Sequence, residues 1–100
     1  MPLDWNEVRA RYEGGAPLRP IAGSRAFTVI GVDDESVYVR SSLWIKSVSR
    51  VHLEQAVRLM EDGTMSRSWR VFVEEYGKHV TGQRRSLTAN LLMDLGYLEE

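Results

Sequence analysis

Two amphipathic helical segments joined by a short glycine-containing turn are the feature that most constrains what this chain can fold into. Within 49–77, apolar residues recur at the i, i+3, i+4, i+7 spacing that places them on one helix face, once before Gly63 and again after it. Because the turn 62–65 is short, the two helices must pack on each other or on a shared core. The two apolar stripes are Leu53, Ala56, Val57 and Met60, followed by Trp69, Phe72, Val73 and Tyr76.

Capping residues predict where these two helices begin and end. Ser49 can accept a hydrogen bond from a free amide of the first turn, and Val48 and Leu53 occupy the two positions of a hydrophobic staple. Gly63 is placed to end the first helix, Ser66 is placed to cap the second, and Gly77 is placed to end it. The sequence therefore predicts a helix–turn–helix unit across this stretch.

The N-terminal part predicts one helix followed by an extended connector. Asp4 can cap the helix, and Glu7 completes a capping-box pattern. Gly14 and Gly15 end it, and the prolines of 16–24 predict a loop or connector there. The side of this helix that we expect to be buried carries Trp5, Val8 and Tyr12.

A β-hairpin is predicted next. Segments 26–32 and 36–40 are rich in β-branched and aromatic residues, and the acidic run 33–35 between them is typical of a turn. Both faces of the first strand are partly apolar, so the alternation of residues does not show which face points into the core. A lone hairpin is marginally stable, so it must pack on helices or gain another strand. The segment 41–47 leads from the hairpin into the helix pair.

The C-terminal part predicts a basic loop and a last helix. The loop covers 78–85, and Ser86 is placed to cap the helix that follows. Gly96 is placed to end that helix. Its apolar side consists of Leu87, Leu91, Leu92 and Leu95.

These elements predict an α+β fold of one domain, because a chain of 100 residues supports one modest core. We expect 1–25 to form the N-terminal helix and connector, 26–40 the hairpin, and 49–98 the helical part. The arrangement resembles a winged helix only by analogy, because there the hairpin follows the helices. We expect one core to bury Leu53, Val57, Met60, Trp69, Phe72, Leu91 and Leu95.

Composition excludes several classes of protein. The chain has no cysteine, which rules out disulfides and thiolate metal sites and fits a cytoplasmic protein. It contains no apolar run of about 18 residues, so we expect no membrane span. No nucleophile elbow, glycine-rich phosphate loop or metal-ligand spacing is visible, so we expect a non-enzymatic protein without cofactor or metal. We interpret the acidic run 33–35 as a hairpin turn and not as a metal or catalytic site. His52 and His79 are far apart in the sequence, and neither has the spacing of a metal ligand.

The distribution of charge is more informative than the net charge of −1. Positive residues are concentrated in the middle of the chain, while both ends are acidic. Arginine, lysine and glutamine contact phosphates and base edges, and the first turn of a recognition helix is where helix-turn-helix proteins contact DNA. The alternative is a solvated rim with one flexible loop. We expect these positive and polar residues to cluster around one edge, together with His79. The predicted DNA-binding residues are Arg67, Ser68, Arg70, Lys78, Gln83, Arg84 and Arg85.

A second function, of a different class, is a protein-interaction or dimerisation module. Leu43, Trp44 and Ile45 make the segment before the helix pair apolar, so it is either core or an exposed contact patch. Trp44 is the tryptophan that we expect at such an interface, together with the edge of the hairpin. The sequence thus indicates double-stranded DNA, a second copy of the chain or a larger protein as the partner.

Three runs of the sequence carry a resemblance to a known class of module. They are AFTVIGVDDESVYVR, SVSRVHLEQAVRLMEDGTMSRS and SLTANLLMDLGYLE. In this order they resemble helix-turn-helix-like modules that accompany bacterial restriction or mobile-element proteins, and the resemblance covers roughly 26–99. It implies a DNA-associated role without a nuclease active site in this chain. It transfers no functional residue, because the loop 78–85 has no counterpart to carry over.

Overall fold

The computed structural model describes residues 3–18 and 27–99. These residues form four helices and four strands, which confirms the predicted α+β class. Residues 19–26, which include part of the predicted connector and the first residue of the predicted hairpin, lie outside the described residues. In chain order the elements are α1 (Trp5–Tyr12), β1 (Ala16–Leu18), β2 (Phe27–Val32), β3 (Ser36–Arg40), β4 (Ile45–Ser49), α2 (Arg50–Glu61), α3 (Trp69–His79) and α4 (Arg85–Asp94).

The strands form one antiparallel sheet in the order β1-β2-β3-β4, a simple meander. Register across β3 and β4 pairs Val37 with Val48 and Val39 with Lys46. Alternate residues of a strand point to opposite faces, so these pairs define one face of the sheet. That face is buried, and it carries Leu18, Phe27, Val29, Val37, Val39 and Val48.

The helices pack on this buried face. α1 contacts β2, α2 contacts β4, and α4 contacts both β1 and α3. Their apolar stripes join the inner face of the sheet in one hydrophobic core that runs from Leu3 to Leu98. On the opposite face of the sheet, Ile30, Tyr38 and Ile45 are exposed. The fold is therefore a helical layer on one side of a sheet whose other side carries exposed apolar residues.

Several predicted helix ends are confirmed. The carboxylate of Asp4 accepts from the amide of Asn6 at 2.9 Å, and the hydroxyl of Ser49 accepts from the amide of Val51 at 3.2 Å. Gly63 follows α2 with φ of +85°, the left-handed conformation in which glycine carries no steric penalty. These ends were predictable because each depends on contacts within a few residues of the chain.

Two strands were not predicted. The connector 16–24 contains β1, which pairs Ala16–Leu18 with β2, and the segment 41–47 contains the start of β4. Pro17 has no N–H to donate, but it lies on an edge strand, where a missing donor is tolerated. Both strands are short, and their partner is the predicted hairpin, so only the assembled sheet satisfies their backbone groups.

Three predicted caps were wrong. α3 continues through Gly77 to His79, so this glycine is inside the helix and does not end it. A Cβ built on Gly77 would lie 2.9 Å from Cδ of Arg85, so glycine lets the Arg85 side chain of α4 lie close against α3. Ser68 rather than Ser66 is the N-cap of α3, and α4 begins after Arg84, so Ser86 lies within the helix.

The predicted core is confirmed in most positions. Of the expected residues, Trp69 and Leu95 are only partly buried and pack against the rim of the core. Trp69 lies in the first turn of α3, and the buried residues Phe72 and Tyr76 lie one and two turns later. The remaining expected residues, Leu53, Val57, Met60, Phe72 and Leu91, are buried.

Candidate nucleic-acid interface

The predicted DNA-binding residues do not form one cluster, which corrects the expectation of a single edge. Arg67, Ser68 and Arg70 lie at the beginning of α3, whereas the other members lie at its end or beyond it. α3 has 11 residues, and at 1.5 Å per residue this separates the two groups by roughly 16 Å. The second group consists of Lys78, Gln83, Arg84 and Arg85.

The first group is occupied by contacts with the C-terminal segment. The backbone amide of Trp69 donates to the carbonyl of Glu99 at 3.1 Å, and the amide of Glu99 donates to the carbonyl of Arg67 at 2.7 Å. The Arg67 guanidinium donates to the carbonyl of Tyr97 at 3.2 Å. The Arg70 guanidinium lies 5.4 Å from the centre of the Trp69 ring. The first turn of α3 is therefore covered by another part of the chain, although both arginines remain exposed.

The second group is organised around the left-handed residue Arg84. Its φ of 55° and ψ of 35° are rare for a residue with a Cβ and let the chain turn sharply from the loop after α3 into α4. The Arg84 guanidinium donates to the side-chain oxygen of Gln83 at 3.2 Å, and the amide of Gln83 donates to the hydroxyl of Thr81 at 3.2 Å. Arg85 lies against Gly77. Both arginines therefore project from one tight corner.

A cleft of about 310 Å³ lies beside this corner, between the start of β4 and the start of α4. The ring of Trp44 stands 5.5 Å from the ring of Phe27, and the ammonium of Lys46 lies 4.9 Å from the centre of the Trp44 ring. The tertiary structure thus brings Trp44, predicted as a protein-interaction residue, next to two residues predicted to bind DNA. The lining residues are Phe27, Trp44, Lys46, Gly82, Arg84, Arg85, Ser86 and Leu87.

The cleft is electropositive. Its lining contains Lys46, Arg84 and Arg85, and none of the described residues that line it is a carboxylate. None of these three cations pairs with a carboxylate within the described parts of the chain. The first turn of α4 holds no acidic residue, so the positive end of the helix dipole is not offset by a carboxylate of that turn. A surface of this kind attracts anions.

Arg84 also borders two further depressions, which extend the surface beyond the cleft. One is a small cavity of about 100 Å³ whose lining includes the hydroxyl-bearing Ser47, Tyr76 and Thr88. The other is shallow and is lined by Lys46, Gln83 and Arg84. The cleft and the shallow depression share Lys46 and Arg84, so these cations stand at the centre of one continuous face.

Sequence reasoning missed Lys46 and Phe27. The sequence pattern assigns no strand or helix to the segment 41–47, which contains Lys46, and it identifies Phe27 only as a strand residue. Pairing of Lys46 with Val39 places the lysine on the face of the sheet that bears the helices, near the N-terminal end of β4. A signal was present, since residues two apart in an extended segment share a face, which relates Lys46 to Trp44.

The acidic hairpin turn has the structural role that the sequence indicated. The carboxylate of Asp33 accepts from the amides of Glu35 and Ser36, both at 2.8 Å, and from the hydroxyl of Tyr38 at 2.6 Å. The hydrogen bond from Tyr38, followed by those from the two amides, holds the pKa of Asp33 below its usual range. Among the described residues, no group of three histidines or carboxylates is arranged to hold a metal ion.

A second acidic residue, missed in the sequence, connects the two ends of the fold. Asp94 of α4 accepts two hydrogen bonds from the guanidinium of Arg11, at 2.8 and 3.1 Å, and one from the hydroxyl of Tyr12 at 2.5 Å. The bond from Arg11, aided by that from Tyr12, lowers the pKa of Asp94. Burial, together with the same carboxylate, raises the pKa of Tyr12. The cluster lies between α1 and α4 and has a structural role.

Leu43 and Ile45 belong to a different surface from Trp44. Their side chains are 71% and 63% exposed, whereas Trp44 is partly buried against Phe27. Ile45 pairs with Arg40, which places it on the exposed face of the sheet with Tyr38. The predicted contact patch is therefore divided, because Ile45 faces away from the cleft that Trp44 lines.

Comparison of the chain with protein-family models, with curated proteins and with solved structures gave no match. Among the described helices, none has the length and apolar character needed to cross a membrane.

Proposed function

We propose that this protein is a non-enzymatic DNA-binding module, with its contact surface at the cleft and the neighbouring α3–α4 loop. The observation that supports the proposal is the convergence of Lys46, Arg84 and Arg85 on one face, where no described lining residue is a carboxylate. Cations arranged in this way neutralise phosphates. Gln83 lines the neighbouring depression with Lys46 and Arg84, and Lys78 is exposed near the end of α3. Both side chains can donate to phosphates or base edges. The absence of cysteine suits a cytoplasmic protein of this kind.

The helix-turn-helix geometry that the sequence predicts gives an alternative orientation on DNA. In that geometry the first turn of α3 would lead into the groove, with Arg67, Ser68 and Arg70 at the front. The C-terminal segment, through Glu99, uses backbone groups of that turn. The loop face around Arg84 is free of such a cover within the described residues, so we place the principal phosphate contacts there. A regulatory or DNA-targeting role is the setting that the sequence pattern suggests for such a module.

The test is a titration of random duplex DNA at several salt concentrations. Each phosphate contact contributes about 0.9 to the slope of log K against log salt, so three contacts from Lys46, Arg84 and Arg85 predict a slope near −2.7. The variant Arg84→Gly/Arg85→Ala should lower the magnitude of that slope by about 2 and weaken all sequences alike. Glycine is chosen at position 84 because it accepts the left-handed backbone.

A matched control removes the two arginines at the other end of α3. Arg67→Ala/Arg70→Ala deletes the same charge, and it should leave the slope nearly unchanged if the α3–α4 loop holds the phosphates. A greater loss of binding in this control would instead favour entry of the first turn of α3 into the groove. Absence of duplex binding at low salt by the wild-type protein would refute the proposed function.

A protein-interaction module is the second candidate, and the exposed sheet face favours it. Ile30, Tyr38, Leu43 and Ile45 are exposed at the solvent-facing side of the sheet or beside it. Clusters of exposed apolar residues mark interfaces between proteins. If this face binds a second copy, light scattering should give a dimer mass that Leu43→Ser/Ile45→Thr returns to that of a monomer. A monomer at all concentrations would remove self-association from consideration.

A further inference from the structure

The cleft combines an aromatic ring with cations, and this combination restricts the class of ligand more than a positive surface alone would. Its volume of about 310 Å³ is at the lower end of the roughly 300–1,000 Å³ that is usual for small-ligand sites. It therefore suits one flat group of the size of a nucleobase and not a larger body. Trp44 and Phe27 supply apolar walls, and Lys46, Arg84 and Arg85 supply the positive charge.

Trp44 is held in a fixed position before any ligand arrives. Its carbonyl accepts from the amide of Ser41 at 2.9 Å, and its own amide donates to the hydroxyl of Ser41 at 3.3 Å. Its ring contacts Phe27, which is 7% exposed and anchored in the core. Tight turns and core contacts of this kind reduce the ordering that binding would otherwise require.

In the free protein the ammonium of Lys46 lies over the Trp44 ring, and Lys46 is exposed to solvent. A base that stacks on a tryptophan ring contributes more binding free energy than an exposed cation–π pair of this kind. Stacking would therefore displace the ammonium, which can then pair with a phosphate next to the stacked base. The same residue thus covers the ring in the free protein and contributes charge in the complex.

We infer that the cleft binds one unpaired base of a single-stranded nucleic acid, stacked on Trp44, while Lys46, Arg84 and Arg85 hold the adjacent phosphates. The inference rests on the proposed function, because it names the form of nucleic acid that the same face prefers. In a duplex both faces of a base are covered by its neighbours, so a duplex can use the cations but not the ring. Stacking on aromatic rings tolerates any base, so we expect little sequence preference.

The experiment compares three fluorescently labelled probes at one salt concentration. They are an oligothymidylate of about ten nucleotides, which is within the usual site size, an abasic deoxyribose-phosphate strand of the same length, and a duplex. We expect the oligothymidylate to bind about tenfold more tightly than either of the others, which corresponds to about 1.4 kcal/mol. Binding of the oligothymidylate should also quench tryptophan emission, whereas the abasic strand should not.

Variants separate the stacking contribution from the charge. Trp44→Leu should remove both the tenfold preference and the quenching, and Trp44→Phe should restore part of the preference. Trp69→Leu is the matched control, since Trp69 is also partly buried and also carries a cation on its ring, at the far end of α3. It should change neither quantity. Thermal unfolding of each variant confirms that it is folded.

Each outcome decides between the two proposals. Equal affinity for all three probes, or a preference that persists in Trp44→Leu, would overturn the single-strand inference and leave the DNA-binding proposal in place. An affinity for free thymidine monophosphate equal to that for the strand would likewise overturn it. If wild-type protein binds none of the three probes, both proposals fail.

Discussion

Replacement of Asp94 by alanine tests how strongly the fold depends on the contact between its first and last helices. The substitution leaves the hydroxyl of the fully buried Tyr12 without its acceptor. An unsatisfied buried hydroxyl costs about 1–3 kcal/mol. The lost ion pair adds less, because the Arg11 side chain is 51% exposed and exposed pairs contribute only about 0.2–1 kcal/mol. We therefore expect Asp94→Ala to lower the free energy of unfolding by about 2–3 kcal/mol.

The assay is urea denaturation followed by circular dichroism, with thermal melts beside it. For a domain of this size the expected loss corresponds to a decrease in Tm of roughly 10–20 °C. Asp94→Asn keeps an acceptor for the Tyr12 hydroxyl and should lose less than about 1 kcal/mol. Tyr12→Phe combined with Asp94→Ala should recover part of the loss, because no unsatisfied hydroxyl then remains. Glu74→Gln, an exposed carboxylate of α3, is the control and should change stability by no more than about 0.5 kcal/mol.

The same cluster predicts a pH dependence. The pKa of Asp94 is lower in the folded protein than in the unfolded chain, so its charge stabilises the fold. That stabilisation is complete above the unfolded pKa of about 3.9 and disappears as the pH falls through the lower pKa of the folded state. The stability advantage of wild type over Asp94→Asn should therefore vanish in strong acid. An advantage that does not change with pH, or a loss under about 0.5 kcal/mol in Asp94→Ala at neutral pH, would refute this account.

Three further tests use substitutions at packed positions. Phe72→Ala should cost about 3–5 kcal/mol in urea denaturation, and Trp69→Ala should cost less because Trp69 is only partly buried; the reverse order would contradict the packing of α3. Gly15→Ala should destabilise more than Gly63→Ala, since both glycines have positive φ but only the first would bring a Cβ to 3.0 Å from a carbonyl oxygen; equal losses would show that this contact relaxes freely. Gly77→Ala should leave stability equal or higher, because alanine favours a helix by about 1 kcal/mol, while it displaces Arg85 and weakens duplex binding; unchanged binding would argue against a role for that side chain.

Local patterns determined the elements that form from contacts between near neighbours in sequence. The α2 stripe, with its cap at Ser49 and its end at Gly63, was predictable because each feature depends on a few consecutive residues. The hairpin of β2 and β3 was predictable for the same reason, since an acidic turn joins two β-branched segments. The α+β class follows from these elements, because they need a shared core.

Only the tertiary structure determined the short strands and the position of Gly77. β1 and β4 are stabilised by hydrogen bonds to strands already paired, so their own sequences carry a weak signal. Gly77 was interpreted as a helix end, but α4 lies so close to it that the Arg85 side chain occupies the space of a Cβ. A glycine pattern alone cannot separate a helix end from a close approach, because both depend on the missing Cβ.

The candidate site shows the same division. The sequence identified Trp44, Arg84 and Arg85 as residues with a function to explain, but it assigned them to different surfaces. The meander places Trp44 and Lys46 at the start of β4, and the left-handed turn at Arg84 directs α4 past them. Residues forty positions apart in the chain become neighbours only when the sheet and helices pack. Residue chemistry is therefore encoded locally, whereas the cleft depends on long-range packing that no local pattern specifies.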